Sequence, residues 1–510
     1  MNKLKLYFQP MLLVFAAISC LFAYAPYNLV IIVPIVIAIL LLHLDNLNIK
    51  SSIKAGLIFG FVFFATEVFY IFYSLNYIVK VGFYLSFFGV CAFSLFLATY
   101  IVIAFVLYSY AKSSSKLFNY VFLFPACWVL GEWLRGYVLG GYPWSDFGYI
   151  LVNNPLFFGY YRIIGEYGVS WLLVSISGIL LLLGLNYFKK NVLNKIEHLI
   201  AISFLAIILL IGYFTAQINY TTKYDKPFTV SILQGNVAVG TKWGNLDTLN
   251  MYKQLIESAT GNLIIVPETG IANFEEYLPA GYLDSLASIA SNKHAELLVG
   301  MPKLIDDEGN YYNTVTLLTN PDHPFYAKYH LVPYGEYIPA RKELEWLYKD
   351  VTLPMVGFSH GPENQDAMII RNQKIAFNIC YENAFARELI HAAKDATLMI
   401  NLSDMAWYGN SYAKDQHLQM SRVRAIENQR YFIQVTNTGL SAVINEDGVI
   451  QSILPTFRRL IATDIVQGRV GVTPFERLAN YPIITLCILI IIFRIIFRIF
   501  IYLKLRYASK

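Results

Sequence analysis

A glutamate, a lysine and a cysteine in the second half of the chain could together perform nucleophilic acyl chemistry. Glu268 and Cys380 follow the short β-prone runs 263–266 and 374–379, and Lys328 ends a third such run. A carboxylate can take the proton of a thiol, while an ammonium lowers the thiol pKa and stabilises a developing oxyanion. Because open α/β sheets hold reactive groups at the carboxyl ends of their strands, we predict that all three lie at the same edge of one sheet.

Cys380 differs from the other cysteines in its polar surroundings. Cys20, Cys91, Cys127 and Cys487 all fall within apolar runs, where a thiol behaves as a small hydrophobic group. A buried core thiol is the common role of a cysteine at a strand end, so the neighbouring charges decide how Cys380 is interpreted. An odd number of cysteines, four of them in apolar runs, does not indicate a disulfide framework.

Other nucleophilic sites are also possible in this sequence. Residues 357–361 fit the G-x-S-x-G pattern around Ser359, but prolines on both sides leave no clear strand before it and no helix after it. A histidine, His330 or His417, could replace the glutamate as the base for Cys380. The sequence contains no zinc, nucleotide or dinucleotide motif, so we predict neither a metal nor a cofactor.

The segment that carries these residues has the pattern of one α/β domain. Short β-rich runs alternate there with longer helix-like runs, over enough residues to bury a core. The strands are predicted at 228–233, 263–266, 297–301, 314–318, 374–379, 398–402 and 432–436. The helices are predicted at 246–258, 281–292, 384–393 and 411–428.

The remainder of the chain is apolar enough to be embedded in a membrane. Of the 510 residues, 56% are hydrophobic and only 14% are charged, and several windows are nearly uncharged over the length of a bilayer. The small net charge of +5 is spread beside these windows, which favours contact with lipid headgroups and not with nucleic acid. Eight spans are predicted, near 11–25, 27–42, 55–75, 83–110, 117–134, 167–185, 198–216 and 481–503.

Lysine and arginine placement predicts the orientation of the spans. With a cytoplasmic amino terminus, twelve basic residues fall in inside segments and three in outside membrane loops. Seven crossings then place the α/β domain outside the cytoplasm, with residues 1–220 as the helical bundle, 221–477 as the domain and 478–510 as a last span with a basic tail. Lys3 and Lys5 before an apolar run also fit a cleavable signal peptide. Glu132 and Arg135, three residues apart, are expected to pair on one helix face.

Several ordered motifs together resemble one family, the apolipoprotein N-acyltransferases, which are membrane members of the nitrilase (carbon–nitrogen hydrolase) superfamily. The resemblance covers nearly the whole chain. Its motifs are Glu132-Trp133-Leu134-Arg135-Gly136, Gln234-Gly235-Asn236, Pro267-Glu268-Thr269, Pro333-Tyr334-Gly335-Glu336, Ile379-Cys380-Tyr381-Glu382 and Thr436-Asn437-Thr438-Gly439. The resemblance implies a nitrilase-like αββα sandwich carried on an α-helical transmembrane bundle.

The resemblance also implies a role for each site residue. Cys380 is the nucleophile, Glu268 is the general base and acid, and Lys328 stabilises the thiolate and the oxyanion. Two further carboxylates, Glu336 and Glu382, support this triad. Two aromatic residues, Trp243 and Tyr381, position the acyl substrates. The chain departs from the family pattern at Ser403-Asp404-Met405-Ala406-Trp407, where Asn-Asp-Ala-Trp-Phe is usual, and at Tyr334 and Gln434, where phenylalanine and arginine are usual.

The implied reaction proceeds through a thioester on Cys380. A phospholipid is the acyl donor, and the amino-terminal amine of a diacylglyceryl-cysteine in an apolipoprotein is the acceptor. The implied place is the bacterial inner membrane, with the catalytic domain on the periplasmic side. Two alternatives use the same chain differently: a membrane-anchored amidase would release the acyl group to water, and a lipoprotein-binding module would perform no turnover. The sequence does not indicate an oligomeric state.

Overall fold

The chain divides into two compact units. A computed structural model describes residues 2–189, 192–306, 309–338 and 357–508. The helical unit consists of Met1–Phe72, Tyr84–Ile218 and Leu478–Lys510, and the sandwich unit consists of Tyr73–Phe83 and Asn219–Arg477. The sandwich unit therefore includes a short segment from the amino-terminal half of the sequence.

The helical unit is built mainly from long apolar helices. In chain order the helices are α1 Asn2–Cys20, α2 Ile32–Leu44, α3 Ile49–Glu67, α4 Tyr70–Tyr73, α5 Phe83–Ala111, α6 Lys116–Phe118, α7 Phe124–Tyr137, α8 Phe158–Lys189 and α9 Lys195–Ala216. The last helix of the chain, Tyr481–Ala508, belongs to the same unit. Gly165 interrupts α8 with φ 65°, a backbone conformation that glycine adopts without steric cost.

Six helices among the described residues are long and apolar enough to cross a membrane. They are Ile49–Glu67, Phe83–Ala111, Lys116–Gly140, Pro155–Phe188, Lys195–Ala216 and Tyr481–Lys504. The first two predicted spans are helical, but their apolar parts, Gln9–Ala23 and Ile32–Leu44, are shorter than the roughly 20 residues that a bilayer core requires. The structure thus supports six of the eight predicted spans.

Buried polar groups in the helical unit are paired differently from the sequence prediction. Arg135 does not form its ion pair with Glu132: its guanidinium lies 2.5 Å from the carboxylate of Asp146. Glu132 accepts hydrogen bonds from the indole N–H of Trp128 at 2.8 Å and from the backbone N–H of Phe147 at 2.9 Å. The expected pair is therefore wrong, because residues from the following loop supply closer partners to both side chains.

The described residues of the sandwich unit form two six-stranded sheets. Its strands are β1 Thr221–Lys223, β2 Phe228–Gln234, β3 Leu263–Val266, β4 Glu296–Leu304, β5 Tyr311–Leu317, β6 Phe325–Ala327, β7 Met368–Ile370, β8 Gln373–Ile379, β9 Leu398–Ser403, β10 Phe432–Thr436, β11 Ala442–Ile444, β12 Ile450–Ile453, β13 Leu460–Val466 and β14 Arg469–Gly471. The first sheet has the order β13-β2-β3-β4-β5-β6, and the second has the order β12-β11-β10-β9-β8-β7. Strands β1 and β14 form a separate antiparallel pair.

The centre of each sheet is parallel and its edges are antiparallel. Strands β2, β3 and β4 run in the same direction, and so do β8, β9 and β10. Strand β6 is antiparallel to β5, which is itself antiparallel to β4. Strand β6 therefore runs in the direction of β3, and the carboxyl ends of these two strands lie at the same edge of the first sheet.

The two sheets share one apolar core and are covered by helices on their outer faces. Side chains from both sheets, including Ile265 of β3 and Phe377 of β8, form the central cluster. The helices of this unit are α10 Leu246–Ser258, α11 Tyr282–Ser291, α12 Ala386–Ala393, α13 Ala413–Asn428 and α14 Pro474–Leu478. Helices α10 and α11 pack on the first sheet, and α12 and α13 pack on the second. The order helix–sheet–sheet–helix is the predicted αββα sandwich.

Candidate active site

The three predicted catalytic residues lie at strand ends, but those strands belong to two different sheets. Glu268 follows β3 and Lys328 directly follows β6, both in the first sheet, whereas Cys380 directly follows β8 in the second sheet. The prediction of one common sheet is therefore wrong. Alternation of apolar residues along a strand indicates which side chains face the core. Because both sheets of a sandwich face the same core, this alternation does not indicate to which sheet a strand belongs.

Lys328 is held between two carboxylates in a nearly dry environment. Its ammonium lies 2.9 Å from an oxygen of Glu336 and 3.6 Å from an oxygen of Glu268. The side-chain amide of Asn313 donates to the same two carboxylates, at 2.8 Å to Glu268 and 3.2 Å to Glu336. Exposed fractions of 5% for Glu268, 1% for Lys328 and 8% for Cys380 show that bulk water scarcely reaches these groups.

The pKa values of the three groups shift because each is buried beside the others. Burial raises the pKa of the Glu268 carboxyl, although the charge of Lys328 acts in the opposite direction. Burial by itself lowers the pKa of Lys328, but Glu336 and Glu268 outweigh it, so the pKa is raised and the ammonium stays charged. Burial and the negative charge of Glu268 raise the pKa of the Cys380 thiol, and the opposing effect of Lys328 is smaller. The thiol therefore rests protonated and needs a base.

The backbone at Cys380 adopts a conformation that is uncommon for a residue with a side chain. Its φ is 53°, in the left-handed region that costs about 1–2 kcal/mol for an L-residue. The carbonyl oxygen of Cys380 accepts from the side-chain amide of Asn401 at 3.3 Å and lies 3.1 Å from Nε2 of His417. These contacts stabilise the turn that holds the thiol at the strand end, and strained backbone of this kind is common at functional sites.

The two histidines considered as alternative bases have other partners. Nε2 of His417 contacts the main chain of Cys380, and its Nδ1 lies 3.0 Å from the side-chain oxygen of Gln434. Nδ1 of His330 lies 3.1 Å from both carboxylate oxygens of Glu388. His417 thus supports the backbone of Cys380, while the negative charge of Glu268 raises the pKa of the Cys380 thiol.

Glu382 connects the two sheets at the site. One of its oxygens accepts from the backbone N–H groups of Tyr329 at 2.7 Å and His330 at 3.0 Å, directly after Lys328. The other accepts from the backbone N–H of Ile379 at 2.6 Å and the hydroxyl of Tyr326 at 2.9 Å. Burial raises the pKa of Glu382 to about 7. Its carboxylate joins the segment that carries the lysine to the strand that carries the cysteine.

A second buried ion pair, absent from the sequence prediction, lies next to Glu268. Lys242 and Asp404, each about 3% exposed, form this pair, and the Lys242 ammonium also donates to the hydroxyl of Thr269 at 2.7 Å. The backbone N–H of Asp404 donates to the second oxygen of Glu268 at 2.7 Å, and Asn437 donates to the Asp404 carboxylate at 3.0 Å. The altered loop at 403–407 thus holds the carboxylate of Glu268 in place.

The two predicted aromatic residues differ in their exposure. Trp243 is 37% exposed, and its ring lies 6.3 Å from that of Phe274. Tyr381 is buried and packs edge-on against Phe385, with ring centroids 5.0 Å apart, and against His330 at 5.8 Å. Trp243 is thus accessible to a large ligand, whereas Tyr381 packs inside the fold beside the nucleophile.

The alternative serine site lacks the helix that it requires. Ser359 lies in irregular chain, and no helix follows it within the described residues 357–367; a strand entering the turn would lie outside the described residues. A nucleophile elbow needs a strand–turn–helix to expose its serine. Across the parts of the chain that the structure describes, no group of three or more His, Cys, Asp or Glu side chains could hold a metal ion.

Comparisons with known proteins identify the family of the chain. The Carbon-nitrogen hydrolase family model matches residues 229–475, and the Apolipoprotein N-acyltransferase N-terminal domain model matches residues 16–179. The apolipoprotein N-acyltransferase of Chromobacterium violaceum is 34% identical over 470 residues, which cover 92% of this chain and 89% of the relative. That of Neisseria meningitidis serogroup B is 33% identical, covering 93% of this chain and 94% of the relative. The chain belongs to the apolipoprotein N-acyltransferase family.

Proposed function

We propose that this protein transfers a fatty acyl chain from a membrane phospholipid to the amino-terminal amine of a diacylglyceryl-cysteine in apolipoproteins. The observation that carries the proposal is the buried group of Glu268, Lys328 and Cys380 in a carbon–nitrogen hydrolase sandwich, on a chain with six helices that could cross a membrane. Membrane helices let both lipid substrates keep their chains in hydrocarbon. Exposing those chains to water would cost about 0.8 kcal/mol per CH₂.

In the first half-reaction, Glu268 takes the proton of the Cys380 thiol as the sulfur attacks the ester carbonyl of the phospholipid. The carbonyl oxygen gains negative charge, which the ammonium of Lys328 stabilises. When the intermediate collapses, the bond to the glycerol oxygen breaks and Glu268 returns the proton to that oxygen. A lysophospholipid leaves, and the acyl chain remains on Cys380 as a thioester.

In the second half-reaction, the amine of the diacylglyceryl-cysteine attacks the thioester carbonyl. Glu268 takes a proton from the attacking nitrogen, and Lys328 again stabilises the oxyanion. The carbon–sulfur bond then breaks, an amide forms, and the proton passes from Glu268 to the sulfur. The low exposure of the site favours an amine delivered by a lipid-anchored substrate over bulk water.

Mass spectrometry of Cys380 tests the proposal and separates it from the amidase alternative. Incubation with phospholipid alone should add one acyl chain to Cys380, and hydroxylamine should remove it. Addition of a diacylated lipopeptide should then yield the triacylated product. Release of most of the acyl chain as free fatty acid, with the lipopeptide present, would indicate an amidase and refute acyl transfer.

Cells that carry only one variant test the non-catalytic alternative. Cys380→Ser should abolish lipoprotein N-acylation, because a serine hydroxyl is a much weaker nucleophile in this site. Cys91→Ser, which changes a partly buried cysteine within α5, is the matched control and should keep full activity. Normal acylation in the Cys380→Ser cells would mean that the protein acts as a binding module.

We also propose the inner membrane as the location, with residues 221–477 as a periplasmic domain between the bundle 1–220 and the terminal segment 478–510. The support is the basic-residue asymmetry of the apolar half of the sequence. Lys226→Cys, at an exposed position of the sandwich unit, should react with a membrane-impermeant maleimide in spheroplasts. Lys504→Cys should react only after the membrane is broken, and the reverse pattern would overturn the orientation.

A further inference from the structure

A polar cavity lies within the helical unit, and none of its lining residues belongs to the sandwich unit that contains Cys380. Its volume is about 1160 Å³. It lies where the loop between α2 and α3, the loop after α5 and the last turns of the C-terminal helix come together. The charged side chains in its lining are Asp45, Lys50, Lys112, Lys116 and Arg498.

The cavity lies at one end of the bundle. Arg498 follows Tyr481, the first residue of the C-terminal helix, by 17 positions, which corresponds to about 26 Å along the helix. That distance is close to the thickness of a bilayer core, about 30 Å. If Tyr481 lies near one face of the membrane, the cavity lies at the headgroup level of the other face.

The single carboxylate of the lining is already engaged. The two oxygens of Asp45 accept from the hydroxyls of Tyr108, at 3.1 Å, and Tyr120. The ammonium of Lys116 lies 3.5 Å from the same carboxylate. One of the four cationic side chains is therefore balanced by an anion, and the lining has a positive excess of three charges.

Two of the remaining cations contact neutral oxygens. The ammonium of Lys112 donates to the carbonyls of Leu44 at 3.1 Å, Asp45 at 2.7 Å and Leu47 at 2.8 Å. The guanidinium of Arg498 donates to the carbonyl of Tyr110 and lies 4.8 Å from the centre of its ring. Such contacts cap helix ends and orient both side chains, but they supply no negative charge to balance them.

From the volume, the excess positive charge and the position at the end of membrane-length helices, we infer that this cavity binds a phosphate group carried by an anionic phospholipid. Basic cavities between the ends of transmembrane helices are suited to such headgroups. Inorganic phosphate has the same recognisable chemistry and is the second possible source. This site is separate from the acyl-donor site at Cys380 and does not depend on the proposed function.

The test compares lipid binding by three forms of the full chain in detergent micelles. In Lys50→Gln/Lys116→Gln, both changed lysines are exposed and in the lining, so folding should be preserved. Lys54→Gln/Lys504→Gln removes two exposed lysines outside the lining and is the matched control. Native mass spectrometry with phosphatidylglycerol and with phosphatidylcholine measures retention, and competition with inorganic phosphate identifies the source.

The wild type and the control should retain phosphatidylglycerol in preference to phosphatidylcholine. A basic residue near an anionic headgroup contributes about fivefold in binding, so the cavity variant should bind about thirtyfold more weakly. Lipoprotein N-acylation should be equal in all three forms. Displacement of the lipid by millimolar phosphate would support the site with the free ion as its ligand. Unchanged retention by the cavity variant, an equal loss in the control, or equal binding of phosphatidylcholine would overturn the inference.

Discussion

The buried pair of Lys242 and Asp404 provides the sharpest test of how Glu268, the proposed general base, is positioned. Asp404 donates its backbone N–H to one oxygen of Glu268, and Lys242 contacts Thr269, the next residue in the chain. The pair thus holds the carboxylate of Glu268 and the side chain of the residue after it. We predict that Lys242→Met and Asp404→Asn each destabilise the sandwich unit and slow acylation of Cys380, and that the double variant recovers much of both losses.

The expected magnitude follows from the burial of the pair. Removal of one partner leaves a charge in a site that is about 3% exposed, at a cost of about 3–5 kcal/mol. For a unit of this size, each kcal/mol lowers the Tm by about 2–4 °C, so each single variant should lose about 6–20 °C. Removal of both charges leaves no unpaired ion, so the Tm of the double variant should be far closer to that of the wild type. A displacement of Glu268 by about 1 Å should slow acylation about a hundredfold.

Two measurements decide the prediction: thermal unfolding of the purified chain, and the rate of adduct formation on Cys380. Lys374→Met, which removes an exposed lysine from β8, controls for loss of a surface charge and should change stability by less than about 0.5 kcal/mol. If the decreases in Tm and in the rate of adduct formation of the two single variants simply add in the double variant, Lys242 and Asp404 do not act as a pair and the reasoning fails.

Three further changes test other contacts of the site. Lys328→Ala should leave the protein folded in the membrane yet reduce adduct formation on Cys380 at least a hundredfold, since an oxyanion donor is lost; a normal adduct would disprove its role. Burial raises the pKa of Glu382 to about 7, so the folded state binds this proton more tightly than the unfolded chain does. The contribution of this group to the free energy of unfolding therefore falls by about 3–4 kcal/mol between pH 4.3 and 7. The Tm of the wild type should fall over the same pH range, and Glu382→Gln should remove that fall. Gly409→Ala should slow acylation, because a Cβ there would lie 2.8 Å from the ring of Tyr73 and displace the loop that holds Glu268; activity equal to wild type would show that the loop tolerates the shift.

Local sequence patterns were sufficient to predict the central elements of the sandwich. The strand Leu263–Val266 and the helix Leu246–Ser258 have the predicted limits. Both are determined locally, by a short apolar run after a turn and by an amphipathic pattern with an asparagine cap at Asn245. The prediction missed strand β13, Leu460–Val466, because it lies at a sheet edge and six of its seven residues are at least partly exposed. Its pairing with β2 is a long-range contact without a local pattern.

Glu268 and Lys328 lie 3.6 Å apart, and their charges act on the Cys380 thiol, but the prediction that all three residues lie on one sheet was wrong. A strand end indicates where a side chain emerges from a sheet, and it does not indicate which sheet the strand joins. The burial of Lys242 depends on a partner 162 positions later in the chain. In the sequence this lysine is one more charged residue in a loop, and only the fold places Asp404 against it. The spacing of residues along the sequence does not predict long-range ion pairs of this kind.

The proposed mechanism requires a thiol with a raised pKa to act as a nucleophile, and the electrostatics of the site are compatible with that role. Burial raises the pKa of both Cys380 and Glu268, because the charged form of either side chain is unfavourable in free energy when it is removed from water. Transfer of the proton from sulfur to carboxylate, however, moves one negative charge between two buried positions and changes neither the net charge nor the extent of burial. The desolvation cost is therefore similar for the carboxylate of Glu268 and for the thiolate of Cys380, and the difference largely cancels. The nearby ammonium of Lys328 stabilises either anion. A dry site suits this internal transfer, because water would stabilise the separate ions and compete with the amine for the thioester.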